Sequence, residues 1–174
     1  GTTVASLASF GDDFFKNPNS NLTADAKVFS IKVQAMEEGQ TNLSGIQTAI
    51  RKAYTDYGIR IFNLSMTAGC KNYNSRKYYV DYNQQINNTG FKKNQKNSHL
   101  FKPDIVMPGG DLLNSNSKMQ VLGLNNGCLA YVFGSGTSYA APLAANIAAK
   151  IVRIYPGLRM QTVKALIINS ANEL

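Results

Sequence analysis

The chain has 174 residues, 44% of them hydrophobic, enough for one domain with a buried core. No apolar run approaches the ~18–20 residues that a membrane span needs, so no span is expected. The net charge of +8 brings nucleic acid to mind as a partner. However, the densest cluster (Lys92, Lys93, Lys96 and Lys102) lies among Asn, Gln and Ser with little aromatic interleaving, which reads as a solvated basic surface without nucleic-acid binding.

Residues 2–10 mix small and apolar types and can open a helix; residues 11–21 hold Gly, Asp, Asn and Pro and read as loop. Residues 27–33 (KVFSIKV) read as a strand, apolar on much of both faces. Residues 41–57 form a helix capped by Asn42 or Ser44, with Ile46, Ala49, Ile50, Ala53 and Tyr57 at three- and four-residue steps, and Gly58 ends it. Residues 59–65 (IRIFNLS) are a second strand. Strand, helix and strand with short joins predict a parallel βαβ unit with a right-handed crossover.

Residues 76–86 are polar and Tyr-rich, a partly exposed helix, and 87–99 are weakly structured. A short apolar run at 105–107 closes on Pro108-Gly109-Gly110. Residues 129–133 (LAYVF) predict a strand and 134–137 a tight turn. Residues 138–155 make the longest helix, apolar on nearly every face and so expected in a core. Residues 160–170 make a last helix. The fold class is α/β, with a mainly parallel sheet and helices on both faces. Cys70 and Cys128 are too few and too far apart for a zinc site; a disulfide and two buried thiols both remain open.

One stretch carries chemistry: residues 134–142 (GSGTSYAAP). A serine at the start of a buried helix meets the unpaired N–H groups of the first turn and the positive end of the helix dipole, where an oxyanion would be stabilised. The glycines permit a tight backbone that projects the side chain, and Pro142 is expected in the first turn, where its missing N–H costs nothing. Serine is also a favoured N-cap, so physics alone leaves Ser138 as either a cap or a nucleophile. Nucleotide readings fare worse. Gly134-x-Gly136 begins a dinucleotide fingerprint, but Tyr139 stands where the third glycine belongs, and there is no Gly-Lys-Ser/Thr. The Gly-x-Ser-x-Gly elbow of α/β-hydrolases is absent as well.

Gly136-Thr137-Ser138-Tyr139-Ala140-Ala141-Pro142 resembles the serine motif of the subtilisin-like serine proteases (subtilases, peptidase S8 family), Gly-Thr-Ser-x-Ala-x-Pro, followed as in that family by an Ala-rich helix ending at Tyr155-Pro156. Other pieces follow the family's order. Gly1-Thr2-Thr3-Val4-Ala5 is similar to the residues just after the catalytic His. Ile61-Phe62-Asn63-Leu64-Ser65-Met66 is similar to its Val-Ile-Asn-Met-Ser-Leu strand. Residues 102–109 (KPDIVMPG) are similar to its Lys-Pro-Asp-Ile-x-Ala-Pro-Gly, with Met107 in place of Ala. Residues 162–171 are similar to its closing helix.

The resemblance implies a three-layer subtilisin-like fold and a secreted or cell-surface serine endopeptidase acting on peptide or protein substrates. Ser138 would form the acyl-enzyme, with its own N–H at the oxyanion and Gly136 and Thr137 building the turn. Ser65, Met66, Thr67 and Gly69 would form the substrate-binding edge, which an extended peptide would join as a strand. No cofactor is implied; calcium is common in the family, but no ligand cluster in the sequence places a metal site. The family's His belongs immediately before Gly1 and its Asp further upstream, and the one histidine here, His99, precedes Leu-Phe rather than Gly-Thr. The Ala-Gly-Asn that completes the family's oxyanion hole is also missing between Ser65 and Lys102. The expectation is therefore a single peptidase domain over 1–174, lacking its N-terminal part and an internal segment and inactive alone, with a second fragment carrying Asp and His as a candidate partner. The alternative is a non-catalytic, peptide-binding module with a subtilase fold.

Overall fold

The computed structural model describes residues 1–13, 21–32, 43–65, 104–111 and 117–171. The expected helix at 76–86 lies outside them, as do Met66, Thr67, Gly69, Cys70 and His99. The chain clusters into two compact units, one of Gly1–Ser30, Ile61–Ser65 and Val106–Leu174, the other of Ile31–Arg60 and Met66–Ile105.

In the first unit, helix α1 (Thr2–Phe10) buries Ser6 and Leu7. Its last carbonyls, which have no partner within the helix, are met from several directions. The Gly11 N–H donates to Leu7 O at 2.9 Å, and the Asp25 N–H donates to Ser9 O at 2.7 Å. The carbonyl of Ala8 accepts from the side chain of Asn146 at 3.1 Å.

Gly11 has φ 62°, the left-handed region, and a methyl group there would strike Asn146 Oδ1. Gly11→Ala is therefore expected to cost roughly 2 kcal/mol, seen as a melting temperature about 5 °C lower in a thermal denaturation scan.

Strands β1 (Met119–Asn125) and β2 (Cys128–Gly134) pair antiparallel, with Met119 opposite Gly134 and Asn125 opposite Cys128. The two-residue connection Asn126-Gly127 has φ of 49° and 80°, the signature of a type I′ hairpin turn. One face of β1, with Met119, Val121 and Gly123, is buried. Gly123 lets α1 come close, since a Cβ there would lie 2.9 Å from Thr3 Cγ2 and 2.6 Å from Val132 Cγ2. The Ser6 hydroxyl fastens the contact, shared between the carbonyls of Thr3 at 2.8 Å and Leu122 at 3.0 Å. Leu7, Met119, Val121 and Leu143 form the core, with Met107, Val132 and Tyr139 packed against it. The opposite face of the hairpin exposes Leu124, Leu129, Tyr131 and Phe133.

Helix α3 (Thr137–Ile154) follows β2, and α4 (Met160–Ser170) follows α3 and buries Val163. Helix α3 does not bury every face: Pro142, Leu143, Asn146 and Ala148 are buried, while Ala141 and Ile154 are exposed. In the second unit, helix α2 (Leu43–Tyr57) buries Ile46 and Ala53 and ends where the Gly58 N–H donates to Tyr54 O at 3.0 Å. Its exposed Lys52 and Asp56 pair at 2.7 Å. Their hydrogen bond holds the Asp56 carboxyl below its ordinary range and the Lys52 ammonium above its own. The pair acts between those two ionisations, and its contribution is lost as pH falls through the lowered Asp56 value or rises through the raised Lys52 value. With both groups in solvent and Lys preceding Asp, the effect is small.

The described residues mix helix with one antiparallel hairpin, and they contain no parallel strand pair. The segments at 27–32 and 59–65 run without strand structure, which departs from the expected βαβ strands. A strand exists through its ladder, and these segments form none among the described residues; Val28, Ile31, Phe62 and Leu64 are exposed. The hairpin strand β1 was not anticipated. Gly123 and Gln120 interrupt the apolar alternation, although Asn126-Gly127 between two apolar runs is a strong turn signal. Among the described residues, no helix is long and apolar enough to cross a membrane.

Candidate active site

The turn between β2 and α3 is held by glycine backbone. The Gly136 N–H donates to Gly109 O at 2.7 Å. A Cβ on Gly109 would lie 2.8 Å from Gly136 O, so the two chains meet at a separation that only glycine permits. Gly134 has the Tyr139 ring lying over it, where any side chain would collide with the phenol oxygen. Gly109 and Gly134 thus shape the turn that presents Ser138. The sequence offered a signal for the first in Pro108-Gly109-Gly110, which reads there only as the close of an apolar run.

The structure decides one open question about Ser138. The N-cap of α3 is Gly136, at φ 136°, and no side chain caps the helix. Ser138 is the second residue of the helix, exposed, and its Oγ makes no hydrogen bond among the described residues. The cap reading is thereby overturned: the serine hydroxyl is not spent on the helix end. The N–H groups of Thr137 and Ser138 fall among the helix's leading donors, which have no intrahelical acceptor, and the Tyr139 N–H turns back to Gly136 O at 3.0 Å. Thr137 is exposed beside Ser138.

Pro142 departs from its expected place. With α3 starting at Thr137, it is the sixth helical residue, beyond the first turn. It therefore has no N–H to give to the Ser138 carbonyl four residues back.

Ser65 lies against the same helix end, its hydroxyl donating to Ser138 O at 3.4 Å. Its oxygen in turn accepts from Asn63 Nδ2 at 2.9 Å. Asn63, the Asn of the Ile61–Met66 stretch that is similar to the family's Val-Ile-Asn-Met-Ser-Leu strand, thus reaches the candidate site through Ser65. Of the expected substrate edge, Ser65 is brought to Ser138, while Met66, Thr67 and Gly69 lie outside the described residues.

A cavity of about 480 Å³ opens further along α3, lined by Gly11, Asp12, Met107, Leu143, Asn146 and Lys150 among others. A large concave pocket is the usual first candidate for a ligand site. Here its walls are mostly apolar, and Lys150 is paired with Asp25 at 3.1 Å. The candidate nucleophile, Ser138, lies instead at the N-terminus of α3. Cys128 is an exposed free thiol at the start of β2, where the sequence left a disulfide and a buried thiol both open. Among the described residues, no group of three or more His, Cys, Asp or Glu side chains gathers as a metal site would require.

Comparison with known proteins agrees with the motif. The chain is 39% identical over 83 residues to the uncharacterized protein y4bN of Sinorhizobium fredii (strain NBRC 101917 / NGR234), a match that covers 40% of this chain and 19% of that protein. The chain thus spans about a fifth of the length of that curated relative. No solved structure matches it. The Subtilase family matches residues 81–174, more than half of the chain, including Ser138, the helix α3 that carries it and α4; the chain belongs to the subtilase family.

Proposed function

We propose that this chain carries the nucleophile of a subtilisin-type serine endopeptidase, secreted or at the cell surface, within the three-layer parallel fold of its family. The observation that carries the reading is the exposed Ser138 hydroxyl at the second position of a helix whose leading N–H groups no side chain caps. In the proposed step Ser138 Oγ attacks a peptide carbonyl, its proton passes to a histidine, and the new C–O bond leaves an oxyanion facing the N–H of Ser138. The histidine then gives the proton to the departing amine. Water later cleaves the ester and regenerates the hydroxyl.

The peptide substrate is held along residues 65–69 by main-chain pairing, a mode that reads little of its sequence. The histidine and aspartate are supplied from outside this chain, whose sole histidine is His99.

A fluorophosphonate probe on the full-length protein tests this. Labelling mapped to the peptide holding Ser138 supports the protease. A folded sample that takes no label points to a peptide-binding module with a subtilase fold. The chain of residues 1–174 alone is expected to release no product from a fluorogenic peptide above the buffer rate, since removing triad members leaves little of the acceleration. Turnover that depends on Ser138 in this chain alone would mean that another group serves as base.

A further inference from the structure

We propose that Ser65 is a positioning residue for Ser138: its hydroxyl takes the place of the backbone N–H that Pro142 lacks and holds the Ser138 carbonyl. The proposal rests on the nucleophile reading and deepens it. In an unbroken helix the carbonyl of residue 138 accepts from the N–H of residue 142. Pro142 has none, and its ring crowds that carbonyl. The helix would then be loosest at the peptide that carries the nucleophile.

The structure brings in a donor from another segment, since Ser65 Oγ lies 3.4 Å from Ser138 O. The direction of the bond is fixed by its neighbour. Asn63 Nδ2 donates to the Ser65 oxygen at 2.9 Å, so the single hydroxyl hydrogen is left to point at the carbonyl. Asn63, Ser65 and Ser138 form a relay from the Asn63 amide through the Ser65 hydroxyl to the Ser138 carbonyl. What is held is the peptide plane between residues 138 and 139, which sets the backbone torsion of Ser138 and with it the line along which Oγ leaves the helix. A bond of 3.4 Å is at the weak end of the range, so the effect is one of alignment and modest in size.

The same residue has another conceivable role, as a wall touching substrate, and the two differ in what they depend on. If Ser65 acts by replacing the N–H of residue 142, restoring that N–H makes it dispensable. If it acts on substrate, the helix interior is irrelevant.

The test is a double-mutant cycle in the full-length protein with Ser65→Ala and Pro142→Ala, read by the rate of fluorophosphonate labelling and by melting temperature. Ser65→Ala alone is expected to slow the labelling step about fivefold with little change in probe affinity, as fits one net hydrogen bond. In the Pro142→Ala background, the same change is expected to slow it less than about twofold. An equal loss in both backgrounds, or a loss confined to probe affinity, overturns the proposal. Asn63→Ala provides a second route that leaves α3 unaltered. It should slow labelling in the same step and add little to Ser65→Ala; full additivity overturns the relay. A wild type that never labels refutes the nucleophile reading instead. The melting-temperature cycle still decides the hydrogen bond in that case: non-additive values support it and additive values overturn it.

Discussion

Ser138→Ala is expected to abolish peptide hydrolysis by the full-length protein, lowering kcat on the order of 10⁶-fold while the protein keeps its stability. Both halves of this expectation follow from the same geometry. The Ser138 hydroxyl is exposed and makes no hydrogen bond among the described residues, so its removal leaves no buried group without a partner. As the second residue of α3 it is not the cap, whose loss would cost about 1 kcal/mol. The melting temperature should therefore move by no more than about 1 °C. Fluorogenic-peptide kinetics and a thermal scan on one preparation check the two together. An inactive variant that also melts many degrees lower would mean that Ser138 supports the fold, and a variant that still turns over would remove it from the chemistry.

The largest expected loss of stability comes from Asn146→Leu. Asn146 is 1% exposed, at the contact between α1 and α3. Its amide donates to Ala8 O at 3.1 Å, serving one of the unpaired carbonyls at the end of α1, and lies 3.3 Å from Asp25 Oδ2. Leucine has similar size but no donor. It takes the donor away from the half-buried Ala8 carbonyl and presents an apolar surface to a carboxylate whose side chain is only 10% exposed. Lys150 and Arg153 keep Asp25 neutralised, at 3.1 and 3.3 Å, so the loss is short of that for an isolated buried charge. An expected cost of roughly 3 kcal/mol corresponds to a melting temperature about 8 °C lower. A shift under about 2 °C would show that water or a shifted backbone replaces the amide.

What the sequence disclosed depended on how local the cause was. The helices at 2–10, 43–57 and 160–170 are set by their local sequence, the first two also by the glycines after them, and the structure places all three within two residues of the expected ends. Strand β1 escaped notice because its apolar pattern is broken by Gly123, whose purpose is to admit α1 from more than a hundred residues away. The segments at 27–32 and 59–65 have strand composition, but composition supplies only half of a strand; the other half is a neighbour.

Within the candidate site, Ser138, Gly136 and Thr137 stand out through a motif with fixed spacing. Asn63 does not, because its role is to orient Ser65, a contact that no spacing rule encodes. Pro142 was misplaced for a related reason. Its meaning depends on its place in the helix: within the first turn its missing N–H costs nothing, whereas as the sixth residue it leaves the Ser138 carbonyl open.

The glycine N-cap of α3 has a consequence for how this segment could be improved. Serine or aspartate at position 136 would ordinarily make a sturdier helix start, since either would place an oxygen on the leading amides. Here that oxygen would occupy the hydrogens that an incoming acyl group has to find vacant. On the proposed reading the bare helix end is a stability deficit kept open for the substrate, and stabilising designs that follow cap preferences should leave this position alone.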